Sequence, residues 1–223
     1  MRIVSLTLLC LGLLVVPALG QVYDNGPVNG NTDAWTINSG FTVSDSFILA
    51  NGGAIIDQFN LWVWAFPGDT LTSVDLSISG SPGGGTFETV AMTQVGGCTT
   101  NGFGFNVCEY SGYFPGIDVP GGGPPSWVSI QNAVVPDGDP IYWDENSGAG
   151  CGGNNGMGGG CPSEAYENSV GTIPSEAFTL LGPCGAGNNN SAGCGPPVPE
   201  PGSIMLFGSG ILGLAGVLRR KLF

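Results

Sequence analysis

The chain has 223 residues, a length that suits one sizeable domain with appendages. It contains no histidine, which excludes Ser-His-Asp and Cys-His catalysis and every metal site that uses histidine ligands. The four bases, Arg2, Arg219, Arg220 and Lys221, all lie outside residues 21–199. Of the 17 acids only Glu200 lies outside this range, so residues 21–199 carry 16 acids and no base. Nucleic-acid binding is therefore excluded, because contacts to phosphate need cations.

The N-terminus has the layout of a secretory signal peptide. Met1-Arg2 is a short positive start, and an apolar run follows over residues 3–16. Ala18 and Gly20 then place small residues three positions and one position before a cleavage point. We expect residues 1–20 to be a signal peptide that is cleaved after Gly20. The alternative is a retained N-terminal anchor, although the run is short for a membrane span.

Residues 21–183 show short alternating runs that are bounded by Gly, Pro, Asn and Asp, which is the pattern of strands and turns. In the clearest run, Phe59, Leu61 and Val63 point to one side, while Trp62 and Trp64 point to the other. The predicted strands cover residues 41–49, 59–66, 74–79, 86–95, 103–114, 126–135, 140–144 and 176–181. About eight such strands without crossover helices favour an all-β body, a β-sandwich or a jelly-roll-like fold with antiparallel strands.

Six cysteines remain once Cys10 is removed with the signal peptide. They form three pairs that are each separated by ten positions: Cys98 and Cys108, Cys151 and Cys161, Cys184 and Cys194. An even number in an exported chain indicates disulfides. Six cysteines allow 15 connectivities, and we predict the three local pairings, which would staple Gly-rich loops. The last pair lies in a Gly/Asn/Pro-rich linker over residues 184–198.

The C-terminus, residues 199–223, combines three parts in a fixed order. Val198 precedes Pro199-Glu200-Pro201, an apolar stretch covers residues 203–218, and Arg219, Arg220 and Lys221 follow. This order resembles the PEP-CTERM sorting signal of exported proteins from Gram-negative bacteria, many of which make extracellular polysaccharide. The resemblance implies a single transmembrane helix as a transient anchor in the inner membrane, a cytoplasmic basic tail, and processing by the membrane protease exosortase. The positive-inside rule agrees with that orientation.

Two groups of residues are candidates for binding. Asp137, Asp139, Asp144 and Glu145 offer oxygen ligands that suit a structural calcium ion, and the alternative is that they are solvated turn residues. Trp62 and Trp64 share one face of a strand and could stack on a sugar, whereas burial in the core is the alternative. A glycosidase would need two carboxylates, for which Asp144, Glu145, Glu164, Glu167 and Glu176 are available.

The expected function follows from location. We expect an exported cell-surface or extracellular-matrix protein whose body is structural or adhesive and not enzymatic. The first alternative is a carbohydrate-binding module that associates with extracellular polysaccharide, and the second is a glycoside-active enzyme.

Overall fold

The computed structural model describes residues 19–49, 52–146 and 164–183. Within these ranges the chain forms twelve β-strands and no helix. The strands are β1 (Leu19–Asp24), β2 (Ala34–Thr36), β3 (Thr42–Phe47), β4 (Ala54–Ala65), β5 (Ser73–Ser79), β6 (Glu88–Thr100), β7 (Asn106–Val119), β8 (Ser126–Val134), β9 (Tyr142–Asp144), β10 (Ala165–Glu167), β11 (Gly171–Ile173) and β12 (Phe178–Pro183). The prediction of an all-β body is confirmed.

The twelve strands form one continuous curled sheet, and every strand pair described in it is antiparallel. Ten of them follow the order β1-β12-β4-β7-β6-β5-β8-β3-β10-β11, while β9 joins β4 and β2 joins β9. Strand β6 connects two halves, because residues 88–91 pair with β5 and residues 92–100 pair mainly with β7. We call them the β4 half (β1, β12, β4, β7, β9 and β2) and the β8 half (β5, β8, β3, β10 and β11). The two layers expected of a sandwich are thus halves of a single sheet.

One hydrophobic core receives side chains from both halves. Tyr23 of β1 and Phe47 of β3 meet across it with their ring centroids 5.6 Å apart. In β4, Phe59, Leu61 and Val63 are completely buried, as their alternation predicted. Burial of this row gives β4 a fixed register, because a slip of one residue would move it to the opposite face.

Four strands have no counterpart among the predicted ones: β1, β2, β10 and β11. The last three have three residues each, too few to display an alternating pattern. Strand β1 begins at Leu19, just before the expected mature N-terminus Gln21, and pairs with β12. Strands β1, β2 and β10 pair with β12, β9 and β3, which lie far away in the chain, and a local pattern does not reveal such partners. Strand β11 pairs with its neighbour β10 in a short hairpin.

The predicted disulfide between Cys98 and Cys108 is present, with the two Cα atoms 4.4 Å apart. It sits at a bulge, because Val95 pairs with Glu109 and Thr99 pairs with Val107. The residues between Val95 and Thr99 therefore face Cys108 alone, and the bridge holds this irregular stretch of β6 against β7. Closing a loop of this length raises the free energy of unfolding by about 3 kcal/mol, because the bridge lowers the entropy of the unfolded chain. The other four cysteines, Cys151, Cys161, Cys184 and Cys194, lie outside the described residues.

Candidate functional site

Four acidic side chains are buried close to one another, and we call them the buried acid cluster. Asp45 lies in β3, Asp144 ends β9, Glu145 follows it, and Glu176 precedes β12. Their exposed fractions are 0%, 0%, 3% and 0%, respectively. Glu145 and Glu176 face each other in an isolated β-bridge, and the Glu176 N–H donates to Asp45 Oδ2 over 2.6 Å. The curl of the sheet thus brings acids from distant parts of the chain together.

Asp144 is held by three neutral donors. Trp64 Nε1 and the Gly30 N–H donate to its Oδ1, and the Asn29 N–H donates to its Oδ2 over 3.1 Å. Gly30 adopts a φ of 65°, and a Cβ at this position would lie 3.2 Å from Val107 Cγ2, so glycine suits the turn that aims this donor. Burial raises the pKa of Asp144 to about 6, even though the hydrogen bonds oppose that rise and only the charge of Glu145 reinforces it.

Asp45 accepts hydrogen bonds from a network that contains Tyr23, Asn25 and Ser175. Asn25 Nδ2 and Ser175 Oγ both donate to Asp45 Oδ2 over 2.9 Å. Asn25 Nδ2 also contacts the Glu176 carbonyl at 2.7 Å, and the Tyr23 hydroxyl donates to Asn25 Oδ1 over 2.8 Å. Burial, followed by the charges of Asp45 and Asp24, raises the pKa of Tyr23. The hydroxyl therefore remains a donor and keeps Asn25 oriented toward Asp45.

The two glutamates of the cluster have different surroundings. Trp35 Nε1 donates to Glu145 Oε1 over 2.8 Å, while burial raises the pKa of Glu145. Both carboxylate oxygens of Glu176 are buried without a hydrogen-bond partner. Burial raises the pKa of Glu176 well above its ordinary value, and the charges of Asp45, Glu145, Asp144 and Asp33 add to the effect in that order. No lysine or arginine occurs between residues 3 and 218 to offset these charges.

A second acidic group lies at the surface. Carboxylate oxygens of Asp69, Asp137 and Asp139 come within 4.8 Å of one another, with Asp69 half-buried and the other two exposed. Burial raises the pKa of Asp69, with further contributions from a hydrogen bond to Asp137 and from the charges of Asp137 and Asp139. The predicted calcium ligands are therefore divided, because Asp144 and Glu145 belong to the buried acid cluster.

Trp62 lines a surface cavity of about 320 Å³, which we call the Trp62 cleft. Glu109 and Thr99 contribute its polar atoms, and Gly96 and Gly97 of the β6 bulge form part of its wall. Asn60 Nδ2 donates to Glu109 Oε1 over 3.1 Å, which orients this carboxylate. The cleft therefore combines one half-buried indole with one oriented carboxylate.

Trp64, the other predicted sugar-binding residue, lies on the same face but is only 5% exposed. Phe103 stacks on its ring at a centroid distance of 5.6 Å, and its indole N–H is donated to Asp144. Phe103 itself is 63% exposed. The predicted pair of tryptophans is thus divided, with Trp62 at the surface and Trp64 beneath an exposed phenylalanine.

Comparison with known families decides the class of the chain. The PEP-CTERM protein-sorting motif matches residues 197–221. The chain therefore carries a PEP-CTERM sorting motif near its C-terminus. Its motif indicates an exported, exosortase-targeted protein with a membrane-anchored sorting signal. No curated protein and no solved structure matches the chain.

The match contains the residues that carried the predicted resemblance: Val198, Pro199, Glu200, Pro201, Arg219, Arg220 and Lys221. They lie outside the described residues, as does the predicted signal peptide apart from its last two positions. The residues that the structure describes include no helical segment that could span a membrane.

Several important residues of this PEP-CTERM protein carry no local sequence signal. Asp45, Asn25 and Ser175 meet only through the sheet topology, and Asp69 joins Asp137 and Asp139 from much earlier in the chain. Of the acids considered for a glycosidase, Asp144, Glu145, Glu167 and Glu176 are buried, and Glu164 is exposed. Glu167 lies apart from the buried acid cluster and accepts from the Ser169 hydroxyl over 2.6 Å.

Proposed function

We propose that this PEP-CTERM protein is a cell-surface or extracellular-matrix component whose body has a structural or adhesive role and no enzymatic activity. The match to the sorting motif at residues 197–221 carries the proposal, since it indicates export and exosortase targeting. The leader over residues 1–20 directs the chain across the inner membrane, and the apolar stretch over residues 203–218 anchors it until exosortase acts.

The properties of the body support a role outside the cell. Residues 21–199 carry 16 acids and no base, so that neighbouring copies repel one another and remain soluble. The disulfide between Cys98 and Cys108 suits an oxidising compartment. Asp144, Glu145 and Glu176, three of the acids suggested for catalysis, are buried in the acid cluster, so a dissolved substrate would not reach them.

Replacing Pro199-Glu200-Pro201 with three alanines should retain the protein in the inner membrane, because exosortase would no longer recognise its signal. Cell fractionation followed by immunoblotting would measure the distribution between membrane and medium. Alanines at Gly195 and Pro196, which precede the matched residues, provide the control and should leave release unchanged. Normal release of the Pro199-Glu200-Pro201 variant would contradict exosortase sorting.

Carbohydrate binding is the second candidate function, and the Trp62 cleft favours it. An indole beside oriented polar groups is a common arrangement for a sugar, because the ring covers the apolar face while carboxylates and hydroxyls accept or donate hydrogen bonds. Here Trp62 would supply the ring, and Glu109 and Thr99 would supply the polar contacts.

Trp62→Ala should weaken binding to extracellular polysaccharide by about tenfold, the effect of losing one stacking contact. Glycan-array screening followed by titration calorimetry would measure it. Trp62→Phe should retain part of the affinity, and Trp127→Ala, a half-buried tryptophan in β8, should leave it unchanged. If the unaltered protein bound no glycan, or if Trp62→Ala bound equally well, the structural or adhesive role would stand alone.

A further inference from the structure

The carboxylate of Glu176 is buried without a group that would compensate its charge. Its side chain is completely buried, and neither carboxylate oxygen has a hydrogen-bond partner in the described structure. A buried carboxylate is normally paired with a cation, hydrogen-bonded or neutralised, because removing it from water is costly. The chain has no base between residues 3 and 218 that could pair with it.

The surroundings of Glu176 are acidic on several sides. Burial raises the pKa of Glu176, and the negative charges of Asp45, Glu145, Asp144 and Asp33 raise it further. Asp45, Glu145 and Asp144 accept hydrogen bonds from neutral side chains or backbone N–H groups, so their charges are solvated but not cancelled. The buried acid cluster therefore has an excess of negative charge that its own residues cannot balance.

Protonation of Glu176 does not explain why its carboxyl group has no hydrogen-bond partner. A protonated carboxyl needs an acceptor for its O–H, and Glu176 interacts with its acidic neighbours through charge and not through a hydrogen bond. Asp69 at the surface differs in this respect, since it shares a hydrogen bond with Asp137. A calcium ion binds each oxygen at about 2.3–2.6 Å and so bridges oxygens that are too far apart for hydrogen bonding.

We propose that the buried acid cluster is a calcium site in which Glu176 and Asp45 are the carboxylate ligands. Among the described residues, only the surface group of Asp69, Asp137 and Asp139 places three carboxylate oxygens within 4.8 Å of one another. The buried site accordingly uses a mixed set of ligands, as calcium sites commonly do, with neutral oxygens completing the shell. Asn146 Oδ1 is one such oxygen, because it is buried without a partner and follows Glu145 in the chain.

The chemistry selects calcium over other metal ions. All available ligands are oxygens, which disfavours zinc and copper. The site is enclosed, whereas magnesium prefers to keep several of its waters. This inference goes beyond the proposed surface role, and it would hold equally for a structural, adhesive or sugar-binding body.

Thermal unfolding of the full chain in a mild detergent tests the site. After treatment with EDTA, added calcium should raise the Tm in a saturable manner, by roughly 5–10 °C at a hundredfold excess over the Kd. Glu176→Gln, which has nearly the same shape, should lose this rise, whereas Asp137→Asn in the surface group should retain it. A full calcium response in Glu176→Gln, or none in the unaltered protein, would overturn the proposal.

Terbium luminescence provides a second measurement that does not depend on how well Glu176→Gln folds. The indoles of Trp35 and Trp64 donate hydrogen bonds to Glu145 and Asp144, so they are positioned to transfer energy to an ion in the cluster. Terbium should give tryptophan-sensitised emission in the Asp137→Asn variant, and calcium should displace it. Emission that is absent there, or displaced equally well by magnesium, would exclude the calcium assignment.

Discussion

Trp143→Ala should lower the free energy of unfolding by about 3–5 kcal/mol, the range for removing a large aromatic side chain from a core. Trp143 is completely buried and meets the rings of Phe59 and Phe178, both at a centroid distance of 5.8 Å. Its Nε1 also donates to the Ala177 carbonyl over 2.9 Å. The substitution would therefore leave a cavity and an unpaired carbonyl at the same place.

Urea unfolding followed by tryptophan fluorescence and circular dichroism would measure this loss. Tyr113→Ala is the matched control, because Tyr113 is 64% exposed. We expect that control to change the stability by less than about 0.5 kcal/mol, as most surface substitutions do. A loss below about 1 kcal/mol for Trp143→Ala would contradict the described packing between β9, β4 and β12.

With calcium removed by EDTA, the protein should become less stable as the pH rises from about 4 to about 7. Asp144 has a pKa that burial raises from 3.8 to about 6, and the pKa values of Glu145 and Glu176 are also raised. At pH values between the unfolded and folded pKa values, the folded state holds more protons than the unfolded state. The stabilisation that these protons provide is therefore fully present below about pH 4 and is lost as the pH passes about 6. A shift of this size for Asp144 corresponds to about 3 kcal/mol.

Chemical unfolding at a series of pH values would give this profile. Glu176→Gln should have a smaller slope, because its neutral amide has no charge to lose or gain. The slope should persist in 1 M salt, at which repulsion between exposed charges is screened over about 3 Å. A flat profile in EDTA would contradict the raised pKa values of the buried acids, and a slope that salt removes would show that surface charge governs the pH dependence.

Local patterns predicted those parts of the fold that neighbouring residues determine. The alternation of Phe59, Leu61 and Val63 in β4 reflects a period of two that any half-buried strand shows, and all three are buried. Cys98 and Cys108 could be paired from their spacing because a short loop brings its own ends together. The sorting motif was similarly readable, since its parts follow one another directly in the chain.

The candidate sites could be predicted only in part, because they depend on pairing between distant strands. Trp62 and Trp64 share a face, yet Phe103 from the turn between β6 and β7 covers only Trp64. Asp137 and Asp139 are close to Asp144 in the chain, but they point toward Asp69. The alternating pattern predicts the face of the sheet on which a residue lies, but it does not predict which residues from other parts of the chain cover that face.

The amino-acid sequence by itself determined that the body is cation-free, rich in strands and joined to a PEP-CTERM sorting motif, because composition, periodicity and contiguous motifs need no partner. Only the tertiary structure decided that Asp45, Asp144, Glu145 and Glu176 share one interior position. The curl at β6 places the β4 half against the β8 half. Acidic residues that are far apart in the chain become neighbours between the two halves, and their charges must be balanced together.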